Sequence, residues 1–249
     1  PTDTLKAKFC AEGSALMSSF CEEHNLPILR CGKVILPTKN EDEDKINLLY
    51  DRGVNNGALV KIISKEELSE IEPEARTETK KALYAPNTSV VDPHTILRKI
   101  QSNLEKAGVT ILFNEWIMSA NPDLSTITTN KYNKFKYNFL INCTGQHSDV
   151  VSKVFNVGKK YTLLPFKGLY YGLHKNSNIR LNGLIYPVPD LSVPFLGIHS
   201  VKLVDGNVYF GPTAVPAFGR ENYQGLKGVN IKDATSISYH LLRQYISNK

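Results

Sequence analysis

An apolar run that ends in a turn of small residues can bring backbone atoms close to a nucleotide. The run Phe-Leu-Ile-Asn at 139–142 predicts a buried strand, and it leads into Cys143, Thr144 and Gly145 before a helical stretch begins. In α/β folds, a strand, a tight turn and a helix start together form a nucleotide-binding corner. Turns of this composition are also common in ordinary structure, so the residues alone leave both interpretations open.

A second apolar run, Phe-Leu-Gly-Ile at 195–198, ends at His199. A single histidine at such a position is often a hydrogen-bonded core residue, but imidazole also accepts a proton at neutral pH, which makes His199 a candidate general base. Lys167 is either a solvated lysine at a strand edge or a cation that holds a carboxylate. Tyr170 and Tyr171 alternate along one strand, so at most one of them should face a site.

Several motifs of catalysis, cofactor binding and metal binding are absent. The 249 residues contain no GxGxxG, no GxxxxGK[ST], no GxSxG and no HExxH. The four cysteines form no CxxC pair, and the histidines are dispersed, so no metal site is predicted. Cys10 and Cys21 would be about 16 Å apart along one helix, too far for a disulfide, which indicates reduced thiols.

Composition and charge exclude some classes of protein. Hydrophobic residues make up 41% of the chain and charged residues 22%, as in a globular protein. The net charge is +6, but the lysines are scattered, so nucleic acid is not an expected partner. An acidic small molecule or an anionic membrane surface fits better. Without an apolar span or a signal region, we expect a cytoplasmic protein, peripheral to a membrane in a bacterium or mitochondrial in a eukaryote.

Periodicity predicts a mixture of helices and strands. The predicted helices cover residues 4–24, 41–50, a short segment opened by the Ser64 capping box, 92–108 with Asp92 as its N-cap, 147–155 and 233–247. The predicted strands cover residues 28–36, 109–113, 116–120, 125–129, 137–142, 164–173, 184–188, 195–201 and 208–210. The apolar stripes of the first helix and of the helix after Asp92 predict core packing.

Longer motifs resemble one family of flavoproteins. Residues 139–149 resemble the late flavin-contacting strand and turn of the D-amino-acid-oxidase-like FAD enzymes. Three further motifs, at 165–171, 185–199 and 211–223, are similar, more specifically, to the L-2-hydroxyglutarate dehydrogenases and oxidases. The segments at 3–10 and 30–33 are similar to the same group, so the resemblance covers nearly the whole chain.

The resemblance implies an activity and a set of site residues. The activity would be FAD-dependent oxidation of L-2-hydroxyglutarate to 2-oxoglutarate, with electrons passing to oxygen or to a quinone-linked acceptor at a membrane. His199 would be catalytic. Substrate would be bound by Lys167, Tyr170, Thr213 and Arg220, and FAD by Ile117, Cys143, Thr144 and Gly145. Thr213 stands where the family usually has Asn, and Lys167 where Arg is more usual.

The resemblance also implies an α+β architecture with interleaved domains. Residues 1–84 and 159–249 would belong to a substrate domain with a mainly antiparallel sheet, and residues 85–158 to part of an FAD-binding domain with a mixed sheet. Family members carry further flavin-binding segments before and after these regions, so the chain is expected to be a central fragment that is inactive by itself. Two alternatives stay open: another FAD-dependent 2-hydroxy-acid or amino-acid oxidoreductase, and a non-catalytic remnant that serves as a binding module.

Overall fold

The computed structural model describes residues 4–190 and 197–247, apart from the side chain of Glu41, and has the predicted α+β class. The helices are α1 (Leu5–Glu23), α2 (Glu43–Asn55), α3 (Lys65–Ile71), α4 (Pro93–Lys106), α5 (Ser148–Val154) and α6 (Ile231–Ser247). The strands are β1 (Ile28–Arg30), β2 (Lys33–Leu36), β3 (Lys61–Ser64), β4 (Lys81–Ala85), β5 (Ser89–Val91), β6 (Ile117–Asn121), β7 (Thr126–Thr129), β8 (Lys134–Lys136), β9 (Phe166–Gly172), β10 (Leu184–Pro187), β11 (His199–Lys202) and β12 (Val208–Pro216).

Local sequence signals start and stop several of these elements. Ser64 and Glu67 form the predicted capping box at the start of α3. Asp92 caps α4 by accepting a hydrogen bond from the His94 N–H, with a proline at the first helical position. These signals can be predicted from the sequence because each cap is formed within one turn of the chain.

The strands form both mixed and antiparallel sheets. One sheet has the order β10-β2-β4-β3, in which β10 and β2 are parallel and the other pairs are antiparallel. The other sheets have the orders β11-β12-β9, β6-β7-β8 and β1-β5. The parallel β10–β2 pair joins segments about 150 residues apart in the chain, which no local pattern could reveal.

The two faces of the β10-β2-β4-β3 sheet carry separate apolar clusters. One cluster contains Val34 and Leu36 of β2 together with Leu68 of α3. On the other face, Leu83 of β4 packs with Ile46 of α2 and with a residue just after β10, and Ile35 packs against this cluster. Because side chains alternate along a strand, β2 serves both clusters, and helices α2 and α3 cover opposite faces.

The chain divides into two compact units, each described separately below. The first unit comprises the described residues of Pro1–Gly108 and Gly168–Thr213, and the second comprises those of Val109–Lys167 and Ala214–Lys249. The assignment of segments to a substrate domain and an FAD-binding domain remains a prediction.

The strand predictions need correction at several places. The predicted strand at 28–36 is two strands, because Gly32 between them has a φ of 70° and turns the chain. Residues 109–113 and 137–142 are not strands. Phe139 and Ile141 are 93% and 84% exposed, and a strand forms only where a neighbour completes its ladder of hydrogen bonds. Strands β3, β4, β5 and β8 were not predicted. Of the predicted strand at 195–201, residues 195 and 196 lie outside the described part.

The predicted burial of two helical stripes is also wrong. In α1, Leu5 and Leu16 are each 70% exposed, and Cys21 is the buried residue of the helix. In α4, Ile96 is buried but Leu97 is 62% exposed. Helical periodicity determines which side chains share a face, whereas burial also requires another element to cover that face.

Candidate functional site

In the first unit, a close backbone approach holds β10 beside β2. A Cβ atom on Gly183 would lie 2.5 Å from the Cys31 carbonyl oxygen, so a side chain is excluded there. The buried carboxylate of Glu72 accepts hydrogen bonds of 2.8 Å from the N–H groups of Asn182 and Gly183. These contacts fix the start of β10 and therefore the position of Tyr186, two residues into that strand.

The His199 ring lies on the ring of Tyr186. Their centroids are 4.1 Å apart and the ring planes are inclined by 30°. The two strands that carry them also meet through the Ser200 hydroxyl, which accepts a 2.7 Å hydrogen bond from the Ile185 N–H. Only 9% of His199 is exposed, so its orientation is set by these neighbours.

The hydrogen bond of His199 selects its neutral tautomer. Its Nδ1 lies 2.9 Å from the carbonyl oxygen of Gly197. A carbonyl can only accept, so Nδ1 carries the proton in the neutral ring and Nε2 carries the lone pair. His199 therefore has the protonation pattern of a general base that acts through Nε2.

Tyr170 lies in the same unit and close to this ring pair. Gly211 is the antiparallel partner of His199, and a Cβ atom on Gly211 would lie 2.8 Å from the Tyr170 ring. Burial raises the pKa of the Tyr186 phenol, and the nearby Tyr170 phenol adds to the rise. Tyr171, the neighbour on the opposite strand face, is 76% exposed.

Lys33, on the neighbouring strand β2, contributes a cation beside the Tyr186 ring. Its Nζ lies 5.2 Å from the centroid of the Tyr186 ring, within the range of a cation–π contact. Burial lowers the pKa of this ammonium group. Lys33 starts β2 and is opposite Leu184 in the parallel ladder.

A cavity of about 370 Å³ opens beside His199 and Tyr186. Its apolar wall includes Ile198 and Phe210, and Arg76 and Glu78 contribute charged groups. A concave, mainly apolar site with a few polar groups is the usual form of a small-molecule pocket. A larger cavity of about 790 Å³ lies between α1 and the segments around β1 and β5, and it contains none of the predicted site residues.

In the second unit, the predicted cofactor turn is held by one asparagine. The Asn142 side-chain oxygen accepts a 2.6 Å hydrogen bond from the Thr144 hydroxyl, and its amide donates to the Ser148 carbonyl at 2.9 Å. Gly145 follows with a φ of 54°. No heavy atom lies within 4 Å of a Cβ built on Gly145, and Cys143 and Thr144 are exposed. The backbone of this turn is therefore open to a flat ligand.

An ion pair joins α5 to the segment after β12. Arg220 Nη1 lies 2.8 Å from Asp149 Oδ1, and Nη2 donates to Oδ2 at 3.0 Å. Burial by itself would raise the pKa of Asp149, but the hydrogen bonds from Arg220 and the Leu163 N–H, with the charges of Arg220 and Lys153, hold that pKa below its usual value. The Asp149 and Arg220 side chains are 5% and 11% exposed.

Glu221 and Asn222 extend this polar network. Glu221 Oε1 accepts from the Gln146 amide at 2.7 Å and lies 2.9 Å from His147 Nε2. The buried Asn222 side chain donates to the carbonyls of Gly225 and Lys227 and accepts a 3.0 Å hydrogen bond from Lys167 Nζ. Lys167 and Arg220 thus both have protein partners in the second unit.

The predicted site residues therefore fall into two groups. His199 and Tyr170 lie together in the first unit, where Thr213 also belongs and where its hydroxyl has no hydrogen-bond partner among the described residues. Lys167, Arg220, Cys143, Thr144 and Gly145 lie in the second unit, with Ile117 at the start of β6. Their substrate and cofactor roles remain predictions.

Three residues of these networks are not among those predicted from the sequence to form a site: Tyr186, Lys33 and Asp149. Tyr186 and Lys33 both occur in motifs that carry the family resemblance, but nothing in their spacing marks them as neighbours. Asp149 is in the first turn of α5, where an acidic residue is ordinarily a helix-stabilising one. The parallel β10–β2 ladder brings the first two together.

A protein-family model described as FAD dependent oxidoreductase matches residues 1–245. The chain belongs to this family. Among curated relatives, L-2-hydroxyglutarate dehydrogenase of Indibacter alkaliphilus is 36% identical over 89% of this chain and 56% of its own length. The mitochondrial L-2-hydroxyglutarate dehydrogenase of Nematostella vectensis is 32% identical over 97% of this chain and 56% of its length. The human mitochondrial enzyme of that name is 30% identical, with coverages of 89% and 50%.

Solved structures of two oxidases share the fold. L-alpha-glycerophosphate oxidase of Mycoplasma pneumoniae, with FAD bound, superposes with a TM-score of 0.70 at 20% identity, covering 96% of this chain and 64% of that chain. Glycine oxidase of Geobacillus kaustophilus also gives 0.70, at 16% identity, covering 87% and 58%. The chain spans about half the length of the curated relatives it matches. In the described part, no helix has the length and apolar character needed to span a bilayer.

Proposed function

We propose that this chain is part of an FAD-dependent enzyme that oxidises L-2-hydroxyglutarate to 2-oxoglutarate. The observation that carries the proposal is the set of relatives of that name, at 30% to 36% identity over most of this chain. Family membership by itself supports FAD-dependent oxidation of a small molecule. The named relatives support a 2-hydroxy dicarboxylate as the substrate.

His199 is the proposed base of the reaction. Oxidation of a secondary alcohol to a ketone removes the hydroxyl proton and the C2 hydrogen, the latter with its electron pair. When bound, FAD supplies the acceptor for that hydride. His199 takes the hydroxyl proton at Nε2, which is the nitrogen left with the lone pair when Nδ1–H bonds to the Gly197 carbonyl. Contact with the Tyr186 ring keeps the imidazole in its orientation during the proton transfer.

The residues proposed to hold FAD fit a flat ligand. Gly145 faces open space, and the exposed Cys143 and Thr144 leave their backbone accessible. The Asn142 hydrogen bonds keep the turn in one shape, and the backbone at Ile117 is proposed to contact the adenine. Lys167, Thr213 and Arg220 are proposed to contribute to substrate binding together with Tyr170.

The acceptor and the cellular location belong to the same proposal. Electrons would pass from the reduced enzyme to oxygen or to a quinone-linked acceptor, with the protein cytoplasmic, peripheral to a bacterial membrane, or mitochondrial. Of the three relatives named above, two are mitochondrial and one is bacterial. The net charge of +6 supports contact with an anionic membrane surface.

Anaerobic flavin reduction tests the function. The complete enzyme that contains this chain, loaded with FAD and mixed with L-2-hydroxyglutarate, should lose the absorbance of oxidised flavin and release one 2-oxoglutarate per flavin. D-2-hydroxyglutarate, L-lactate and L-glutamate should react at least about 100-fold more slowly. They differ from the substrate in the configuration at C2, in the second carboxylate and in the hydroxyl group, respectively, and we expect the site to recognise each of these features. Faster reduction by L-glutamate would favour the amino-acid oxidoreductase alternative, and flavin that no substrate reduces would favour the binding module.

A further inference from the structure

Lys33 and His199 approach the same aromatic ring. In the parallel β10–β2 ladder, Lys33 pairs with Leu184, and Tyr186 lies two residues further along β10, so the three side chains share one sheet face. Lys33 Nζ is 5.2 Å from the Tyr186 ring centroid, and the His199 centroid is 4.1 Å from it. A cation and the proposed base therefore both contact the ring of Tyr186.

The Lys33 ammonium group has no carboxylate partner in the described part of the chain. Among the described side chains of residues 4–190 and 197–247, which do not include that of Glu41, no Asp or Glu oxygen lies within 4.0 Å of its Nζ. By contrast, Lys45 Nζ is 2.8 Å from Asp42 and Lys153 Nζ is 3.4 Å from Asp149. Burial lowers the pKa of Lys33 without an opposing charge to restore it. An anion that arrived beside Nζ would relieve this desolvation.

Lys167, the cation selected from the sequence, has a different environment. Its Nζ already donates a 3.0 Å hydrogen bond to the buried Asn222 amide oxygen. It belongs to the second unit, whereas Lys33, Tyr186 and His199 all belong to the first. Lys33, by contrast, contacts the same Tyr186 ring as His199.

We propose that Lys33 binds a carboxylate of the substrate beside the Tyr186 ring, which His199 also contacts. The identity of the acid, a 2-hydroxy dicarboxylate, rests on the proposed function. The ammonium group would make charge-assisted hydrogen bonds to the carboxylate. Lys33 would thereby position the hydroxyl-bearing carbon for His199.

Direct binding of the acid to the 249-residue chain tests the proposal without any flavin or turnover. L-2-hydroxyglutarate is titrated by calorimetry against the unaltered chain and against Lys33→Gln, Lys33→Arg and Lys61→Gln. Lys61 is an exposed lysine of β3 in the same sheet and serves as the matched control. We expect Lys33→Gln to weaken binding about 10-fold or more, Lys33→Arg to retain most of it, and Lys61→Gln to leave it unchanged.

Lysine side-chain NMR gives a second readout. The Lys33 Cε signal, assigned by its loss in Lys33→Gln, should shift when L-2-hydroxyglutarate is added and should not shift with its dimethyl ester, which lacks the negative charges. Equal affinity for the unaltered chain and Lys33→Gln, or no binding by the unaltered chain, would overturn the proposal. Binding that depends on Lys33 in a protein whose flavin the acid does not reduce would uphold this site and reject the proposed oxidation.

Discussion

The imidazole of His199 lies on the phenol ring of Tyr186, with centroids 4.1 Å apart and planes inclined by 30°. Each ring comes from a different strand, and a serine hydroxyl on β11 ties those strands together. The contact orients the imidazole, and the Gly197 carbonyl selects its tautomer. The nitrogen that carries the lone pair, Nε2, is therefore defined before any ligand binds.

Replacement of His199 by Asn should slow the chemical step. Asn keeps a hydrogen-bonding group of similar size but cannot take a proton at neutral pH. Flavin reduction by L-2-hydroxyglutarate in stopped-flow absorbance should therefore fall by about 100 to 10,000-fold while FAD stays bound. His94→Asn, at an exposed histidine near the start of α4, should leave the rate unchanged. An unchanged rate in His199→Asn would make His199 structural.

Loss of the Asp149 carboxylate should destabilise the second unit. In Asp149→Asn, the Arg220 guanidinium, 11% exposed, would keep its positive charge without its 2.8 Å partner. Breaking a buried ion pair from one side commonly costs about 3 to 5 kcal/mol, and we expect the free energy of unfolding in urea to fall by that order. Glu12→Gln removes the exposed pair with Lys8 and should cost under about 0.5 kcal/mol. Equal small losses would show that the Asp149 pair contributes little.

The same carboxylate should make stability depend on acid pH. The folded-state pKa of Asp149 is held below its ordinary value, and an unfolded Asp has a pKa of about 3.9. The pair therefore stabilises the fold fully above that pH, and its contribution is lost as the pH falls through the folded-state pKa. The difference in unfolding free energy between the unaltered chain and Asp149→Asn should be constant from pH 7 to 5 and shrink below about pH 4. A constant difference down to pH 3 would contradict this linkage.

The Glu72 carboxylate should stabilise the first unit against unfolding. It is 1% exposed and accepts hydrogen bonds from two successive N–H groups at the start of β10. Glu72→Ala would leave both donors unpaired, so the free energy of unfolding should fall by about 2 to 5 kcal/mol. Glu70→Ala, on the exposed side of α3, is the control and should be close to neutral. If both variants unfold at the same urea concentration, water replaces the carboxylate.

A methyl group at Gly145 should weaken FAD binding more than it weakens the fold. Gly145 and Gly57 have φ values of 54° and 75°, and a Cβ on either meets no heavy atom within 4 Å. Ala should thus cost about 1 to 2 kcal/mol of backbone strain at both positions. FAD affinity, measured by flavin fluorescence quenching, should fall in Gly145→Ala and stay unchanged in Gly57→Ala. Equal affinities would remove the turn from the cofactor site.

Local features of this chain are determined by the sequence alone. The caps at Ser64 and Asp92 could be predicted because their hydrogen bonds close within three residues, and the helices they start follow from that chemistry and from apolar periodicity. The family could be predicted because long motifs such as the one at 185–199 constrain many positions together. His199 and Tyr170 can be predicted as site residues from these motifs, without knowledge of their neighbours in the structure.

Only the tertiary structure decided which residues meet and which faces are covered. The parallel pairing of β10 with β2 brings Lys33 to Tyr186. It depends on the close approach of Gly183 and on the hydrogen bonds of Glu72, which follows α3 directly. Periodicity placed Leu5 and Leu16 on one face of α1, but their exposure depends on which elements cover that face. The pairing of distant segments depends on non-local contacts. The free energy of those contacts cannot be determined from any short stretch of sequence.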